Sequence, residues 1–257
     1  MSEFGVDVSH YQRNINWGKV KENSTIRFCI MKAMYESSHK VDECFENNYR
    51  GCKANGIKTG TYIFIGSKSM ENPKEDAEAF LDILNGRKLE YGIWLDAESN
   101  KVRALGKHRI TTILIQEANI FEKAGYRVGI YTNPDWYKNV LDVDILRNKY
   151  PFWVARYPKD DNGNMQNRLS PKEYAEAWQY SSKGNVPGIV GNVDLDIDYS
   201  YAEFMRNYAM AEQVLAGKYG TANTKPTRKE RLEALGYNYR TVQNMVNAIY
   251  KVRIQKW

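Results

Sequence analysis

Short apolar and aromatic runs punctuate the first 200 or so residues, each bounded by a turn and most followed by a helical pattern. They are "FGVDVSH" from Phe4, "RFCIMKAMY" from Arg27, "TGTYIFIG" from Thr59, "YGIWLDAE" from Tyr91, "YRVGIYTN" from Tyr126, "FWVARY" from Phe152, "AWQYSS" from Ala177 and "VDLDIDY" from Val193. Their brevity and their β-branched and aromatic content predict buried strands. Between the early runs lie segments with helical spacing, including "DECFENNYRGCKANG", "NPKEDAEAFLDILNG" and "KHRITTILIQEANIFEKAG". In the last, Ile110, Ile113, Leu114, Glu117, Ala118 and Phe121 recur with a period near 3.6, and Gly125 stands where a C-terminal cap belongs.

Strand and helix in alternation predict a parallel sheet, and eight strands in this length predict an α/β fold of the (β/α) barrel type. After "FWVARY" the intervals become short and rich in Gly and Pro. Parallel neighbours need a crossover of a dozen or more residues, so the last strands are expected to pair in part as antiparallel ribbons. The expectation is an incomplete or irregular barrel, roughly (β/α)5(β)3, with helices mainly in its first five units.

From about Ala209 the texture changes. "AEQVLAG", "RKERLEALG" and "YRTVQNMVNAIY" are amphipathic stretches separated by Gly, Asn and Pro turns, the pattern of a small three-helix module. Two units are therefore expected, a barrel over residues 1–206 and a helical module over residues 209–251.

Composition narrows the class. Hydrophobic residues at 42% and charged residues at 26% suit a globular protein, and no apolar run nears the roughly 20 residues of a membrane-spanning helix. The start, "MSEFGVDVSH", has neither the basic nor the apolar region of a secretory signal, so synthesis in the cytoplasm is expected. Cys29, Cys44 and Cys52 lack C-x-x-C spacing and read as free thiols. The formal net charge of +6 is uneven, with most of the basic excess falling after residue 208. A basic protein is drawn to polyanions such as nucleic acid or an anionic cell wall.

The chemistry concentrates at strand ends. Asp96 and Glu98 close an apolar run with one alanine between them, so on a continuing strand both point to one side. Near neighbours in an apolar surround acquire unequal pKa values, as a general acid with an anionic helper requires. Asp7 and Asp194 end other runs, and a closed barrel would bring all four acids together. Tyr62, Tyr131, Trp153, Tyr157, Trp178 and Tyr180 are the expected aromatic lining, with Gln179 as a hydrogen-bonding neighbour. Flat rings beside polar groups suit sugars. His10, His39 and His108 are not at zinc-ligand spacing, so no metal or other cofactor is expected. Magnesium on Asp7, Asp96 and Asp194 is the alternative use of the acids. With no G-x-S-x-G, P-loop or G-x-G-x-x-G, a carboxylate-driven hydrolysis remains.

These residues resemble glycoside hydrolase family 25, the lysozymes that cleave peptidoglycan at N-acetylmuramic acid. The resemblance rests on "GVDVSHYQ", "GIWLDAES", "VGIYTN", "FWVARY" and "WQYSSKGNVPGIVGNVDLDI", in family order from Phe4 to about Tyr201. It implies Glu98 as general acid, Asp96 as the partner that orients or stabilises an intermediate built from the substrate's own N-acetyl group, and Asp7 and Asp194 as the other pocket acids. Tyr62 resembles the family's strand-three tyrosine, with Ile63 where many members have His. The tail resembles a cell-wall-binding repeat of the CW-seven type, present once. Together these imply a muramidase whose partner is peptidoglycan, glycan strand and stem peptide alike, with no membrane insertion. A catalytic unit with a wall-binding tail and no leader resembles a phage endolysin that reaches the wall after holin-type release, or a bacterial autolysin from a prophage remnant. The competing readings are a non-catalytic wall-binding barrel, which the intact D-x-E pair disfavours, and nucleic-acid binding by the basic tail.

Overall fold

The computed structural model describes residues 2–221 and 223–255. Eight strands form a closed barrel: β1 (Glu3–Val8), β2 (Ile26–Lys32), β3 (Lys58–Phe64), β4 (Ile93–Asp96), β5 (Val128–Thr132), β6 (Phe152–Ala155), β7 (Ala177–Gly184) and β8 (Val193–Asp198). Strands β1 to β7 pair in parallel, each with the next. Strand β8 is antiparallel to both β7 and β1 and completes the ring.

Helices α1 (Trp17–Asn23), α2 (Phe45–Ala54), α3 (Pro73–Leu84) and α4 (Lys107–Lys123) follow the first four strands, and a short helix, Val143–Leu146, follows β5. Between β6 and β7 lies only a 3-10 turn, Asn167–Leu169, and β7 turns back directly into β8. What is incomplete is the ring of helices. The ring of strands closes because an antiparallel partner needs no crossover.

Local chemistry sets the helix ends. Asn72 accepts a hydrogen bond from the Glu75 N–H at 3.3 Å and Pro73 opens α3, where its missing N–H costs nothing. The expected stripe of α4 is fully buried, Glu117 included, and burial pushes that carboxyl well above its ordinary range. Gly125, at φ +89°, ends the helix, its N–H bonding Glu122 O at 3.0 Å while the Tyr126 N–H bonds Phe121 O at 3.0 Å. A two-residue hairpin, Met34–Tyr35 with Lys40–Val41, follows β2 and is absent from the sequence reading. Cys29, Cys44 and Cys52 are free thiols.

Strand alternation divides the core in two. Val6, Met31, Ile63, Leu95, Ile130 and Val154 face outward onto the helices, whereas Phe28, Ile30, Trp94, Trp153 and Ala177 fill the barrel. Glycine makes room for the large inner rings. A Cβ on Gly129 would fall on the Trp94 ring, so the indole lies flat across β5 beneath Asp96.

The tail forms α5 (Tyr201–Leu215), α6 (Arg228–Ala234) and α7 (Tyr239–Ile254). Helix α5 runs unbroken through residues 206–209. Its first residue, Tyr201, closes the end of the barrel opposite the strand C-termini, stacking on Tyr91 with centroids 5.0 Å apart and leaning on Trp94 at 5.6 Å. The Tyr208 hydroxyl donates to Glu122 at 3.2 Å, and Val252 of α7 is buried with the barrel's outer core. Among the described residues no helix is long and apolar enough to cross a membrane.

Candidate active site

At the C-terminal ends of the strands a cavity of about 250 Å3 is lined by Asp7, Tyr62, Asp96, Glu98, Tyr131, Trp153, Tyr157, Gln179 and Asp194. All four expected acids meet there. Asp7 on β1 stands directly across from Asp194 on β8, and Asp96, the last residue of β4, lies beside Tyr131 on β5. The Ala97 N–H bonds Tyr131 O at 2.9 Å and the Thr132 hydroxyl donates to Ala97 O at 2.7 Å. Ala97 is thereby pinned outward, which leaves the two flanking acids to the inside.

A polar chain ties the far wall together. The Tyr131 hydroxyl donates to Gln179 Oε1 at 3.1 Å, and Gln179 Nε2 donates to Asp7 Oδ2 at 2.8 Å. One layer lower, the Trp153 indole N–H donates to Asp196 Oδ1 at 3.0 Å. Asp196 is wholly buried beneath Asp7 and Asp194, a member of the cluster that the sequence reading left without a role. The alternation Asp194, Asp196, Asp198 was the available signal, since period two sends all three inward. Lys32, at the end of β2 beside Tyr62, was also missed, and its charge opposes the rise in the Asp96 pKa.

Two expectations are corrected by strand phase. Trp178 does not join the cavity: it faces outward next to Gln179, fully buried against the helices, its indole N–H donating to Arg156 O at 2.7 Å. Tyr180 shares that outer face. Neighbours on a strand cannot both point inward, and Gln179 has the inner position. Ile63 likewise packs outward, away from the cavity that Tyr62 lines.

Burial sets the electrostatics. It holds the Asp96 carboxyl well above the ordinary range, helped by the Glu98 charge and opposed by Lys32, and Asp96 Oδ1 is buried with no hydrogen-bond partner among the described residues. Burial also raises Glu98, against a hydrogen bond from Asn133. Asn133 Oδ1 is occupied by the N–H groups of Asp135 and Trp136 at 3.1 Å each, so its amide nitrogen is the end left to serve Glu98. The sequence reading assigned the proton to Glu98 and the charge to Asp96. Burial favours the neutral form of both carboxyls, Asp96 as well as Glu98.

Asp7 is raised by burial and by Asp194 and Asp196, and Asp194 is pushed up to about 6 by burial. Because this carboxyl's folded pKa lies above its unfolded value near 4, its contribution to stability is complete below pH of about 4 and is lost as pH rises through about 6. Asp194→Asn is expected to raise the thermal midpoint at pH 8 by about 2–4 °C, equivalent to about 1 kcal/mol, with little change at pH 4. Melting curves across pH check this, and a wild-type pH slope retained in the variant would refute it.

The magnesium alternative meets a geometric test. Among the described residues the cluster whose ligand atoms approach within 4.8 Å of one another is His10, Asp42 and Glu43, outside the cavity.

Comparison with known proteins points to one family for the barrel and another for the tail. A sequence model of the glycosyl hydrolases of family 25 matches residues 6–189, and a model of the CW_7 repeat matches residues 209–250. Lysozyme M1 of Streptomyces globisporus is 30% identical over 203 residues, covering 74% of this chain and 65% of its own. The uncharacterized protein YegX of Escherichia coli O157:H7 is 30% identical over 200 residues, covering 75% and 68%. Among solved structures, the bacterial lysozyme from Streptomyces coelicolor superposes with a TM-score of 0.63 at 26% identity, over 79% of this chain and 95% of that one.

Proposed function

Since the chain belongs to glycosyl hydrolase family 25 and is thus a glycoside hydrolase acting on peptidoglycan, we propose that it cleaves the β-1,4 bond between N-acetylmuramic acid and N-acetylglucosamine, with Glu98 and Asp96 as its central pair. The observation that carries this reading is the meeting of Asp7, Asp96, Glu98 and Asp194 with Tyr62, Tyr131, Trp153 and Tyr157 in one cavity. Asp96 borders that cavity, where the N–H of a 2-acetamido group can donate to its carboxylate. That hydrogen bond favours the ionised form and brings the Asp96 pKa down once substrate is bound.

The chemistry then divides between the two acids. Glu98, whose burial favours the protonated form, delivers its proton to the glycosidic oxygen as the C1–O bond breaks. Asp96 orients the acetamido group so that its carbonyl oxygen bonds C1, giving a cyclic intermediate, and stabilises the positive charge that develops on it. Water, deprotonated by Glu98, then opens the intermediate and returns the proton to Glu98. Two displacements at C1 retain its configuration. The chain from Tyr131 through Gln179 to Asp7 keeps the opposite wall rigid, and Tyr62, Trp153 and Tyr157 offer faces to the sugar.

The single CW_7 repeat would add a second hold on the wall, so that catalysis and anchoring act on one polymer. A phage endolysin with holin-type release, bacteriolytic and antimicrobial, is the context this pairing suits. Mass spectrometry of digested peptidoglycan tests the bond assignment. Products ending in reducing N-acetylmuramic acid are expected, and reducing N-acetylglucosamine would reject it.

A further inference from the structure

Next to Glu98 lies a second cavity of about 350 Å3, bordered by Phe64, Ser67, Asn100, Lys101 and Glu36. Glu98 is the residue common to both. A groove running across Glu98 would join the two, with the general acid at the junction and Asp96 confined to the first part.

That arrangement sets a direction for the substrate. If Asp96 holds the acetamido group of the sugar under attack, and Glu98 faces the bridging oxygen, the sugar beyond that oxygen must lie in the second part. The leaving-group side of the glycan thus runs toward Lys101. Lys101 Nζ has only a long contact of 3.5 Å to Ser67 Oγ, and among the described residues it pairs with no carboxylate. Glu36, which borders the same cavity, is held in place, its Oε1 accepting the Lys68 N–H at 2.8 Å and its carboxyl packed over Gly66, where a Cβ would collide with it. An ammonium with no carboxylate partner and a fixed carboxylate bordering one cavity make a poor fit for a neutral glycan and a good one for a chain carrying ionised groups.

Building on the muramidase reading above, we propose that this second part of the groove binds the leaving-group side of the strand, the peptide-free N-acetylglucosamine next to Glu98 and then the stem peptide of the following N-acetylmuramic acid, Lys101 pairing with a carboxylate of that peptide. Glu36 faces the same substituent and suits its ammonium group. The enzyme is then selective for peptide-bearing glycan over bare glycan.

The test uses the full-length protein and two substrates, solubilised uncross-linked glycan with its stem peptides, and the same glycan stripped by an amidase. The readout is the ratio of kcat/KM values for the two, from the release of reducing ends. Lys101→Ala is expected to lower that ratio about three- to fivefold, mainly through KM on the peptide-bearing chain, the size of a solvent-exposed ion pair. Lys101→Glu should lower it further, and Lys101→Arg should restore it. An unchanged ratio in Lys101→Ala, with the variant's melting curve matching wild type, would overturn the proposal. If the wild-type enzyme cleaves neither substrate, the muramidase reading itself fails.

Discussion

Glu98→Gln should leave a folded protein that releases reducing ends from purified peptidoglycan about 10^2–10^4 times more slowly than wild type, the range for loss of a general acid. The substitution is nearly isosteric, and Glu98 lies half-buried just past the end of β4, held through the backbone of Ala97 and not through its own carboxyl. Its side-chain hydrogen bond among the described residues is from Asn133, which a glutamine carbonyl can still accept from. The thermal midpoint should therefore stay within a few degrees of wild type. What the amide cannot do is give a proton to the leaving oxygen. If the variant keeps more than a tenth of wild-type kcat at any pH between 4 and 8, Glu98 is not the proton donor. The raised pKa adds a second readout: wild-type kcat should fall on an alkaline limb above the ordinary carboxylate range, because activity needs Glu98 protonated, and that limb should vanish in Glu98→Gln.

Tyr201→Ala should destabilise the protein by about 3–5 kcal/mol and lower its melting midpoint on the order of 10 °C, although the residue belongs to the tail helix and lies at the opposite end of the barrel from the acids. Its ring is 4% exposed and stacks on Tyr91, which stacks in turn on Phe28 at 4.3 Å. It also leans on Trp94, and Trp94 meets Trp153 edge to face at 5.6 Å. Trp94 is two residues before Asp96 on the same inward face, and Trp153 holds Asp196. A cavity at Tyr201 removes the support beneath both indoles, so kcat should fall along with stability. Tyr201→Phe keeps the stack and should cost about 1 kcal/mol or less, since it removes only the hydroxyl. Urea unfolding of both variants provides the check; equal, small losses would mean that the barrel floor does not depend on this ring. The expected separation of residues 1–206 from 209–251 acquires a physical question through the same contacts, because α5 begins inside the barrel and α7 contributes Val252 to its outer core. We propose that the CW_7 repeat is docked on the barrel and is not tethered at a distance.

The amino-acid sequence by itself determined the eight strand positions, the stop of the helix ring after the fifth unit, the acids at Asp7, Asp96, Glu98 and Asp194, and the three tail helices. Each rests on local chemistry: short β-branched runs, loops too short for crossovers, and carboxylates where an apolar run ends. Only the tertiary structure decided which side of each strand faces the cavity. In a barrel wrapped by helices both faces of a strand are apolar, so the period-two signal that marks a one-sided sheet is erased. "AWQYSS" therefore reads equally well with Trp178 or Gln179 inward, and ring closure against β8 selects Gln179, which then bonds Asp7. Closure likewise sent Asp196 below the cavity, brought Lys32 near Asp96, and seated Tyr201 in the floor, where contacts join residues far apart in the chain. The same burial raises both central acids, Asp96 as well as Glu98, since depth is a property of the assembled pocket and not of the D-x-E motif.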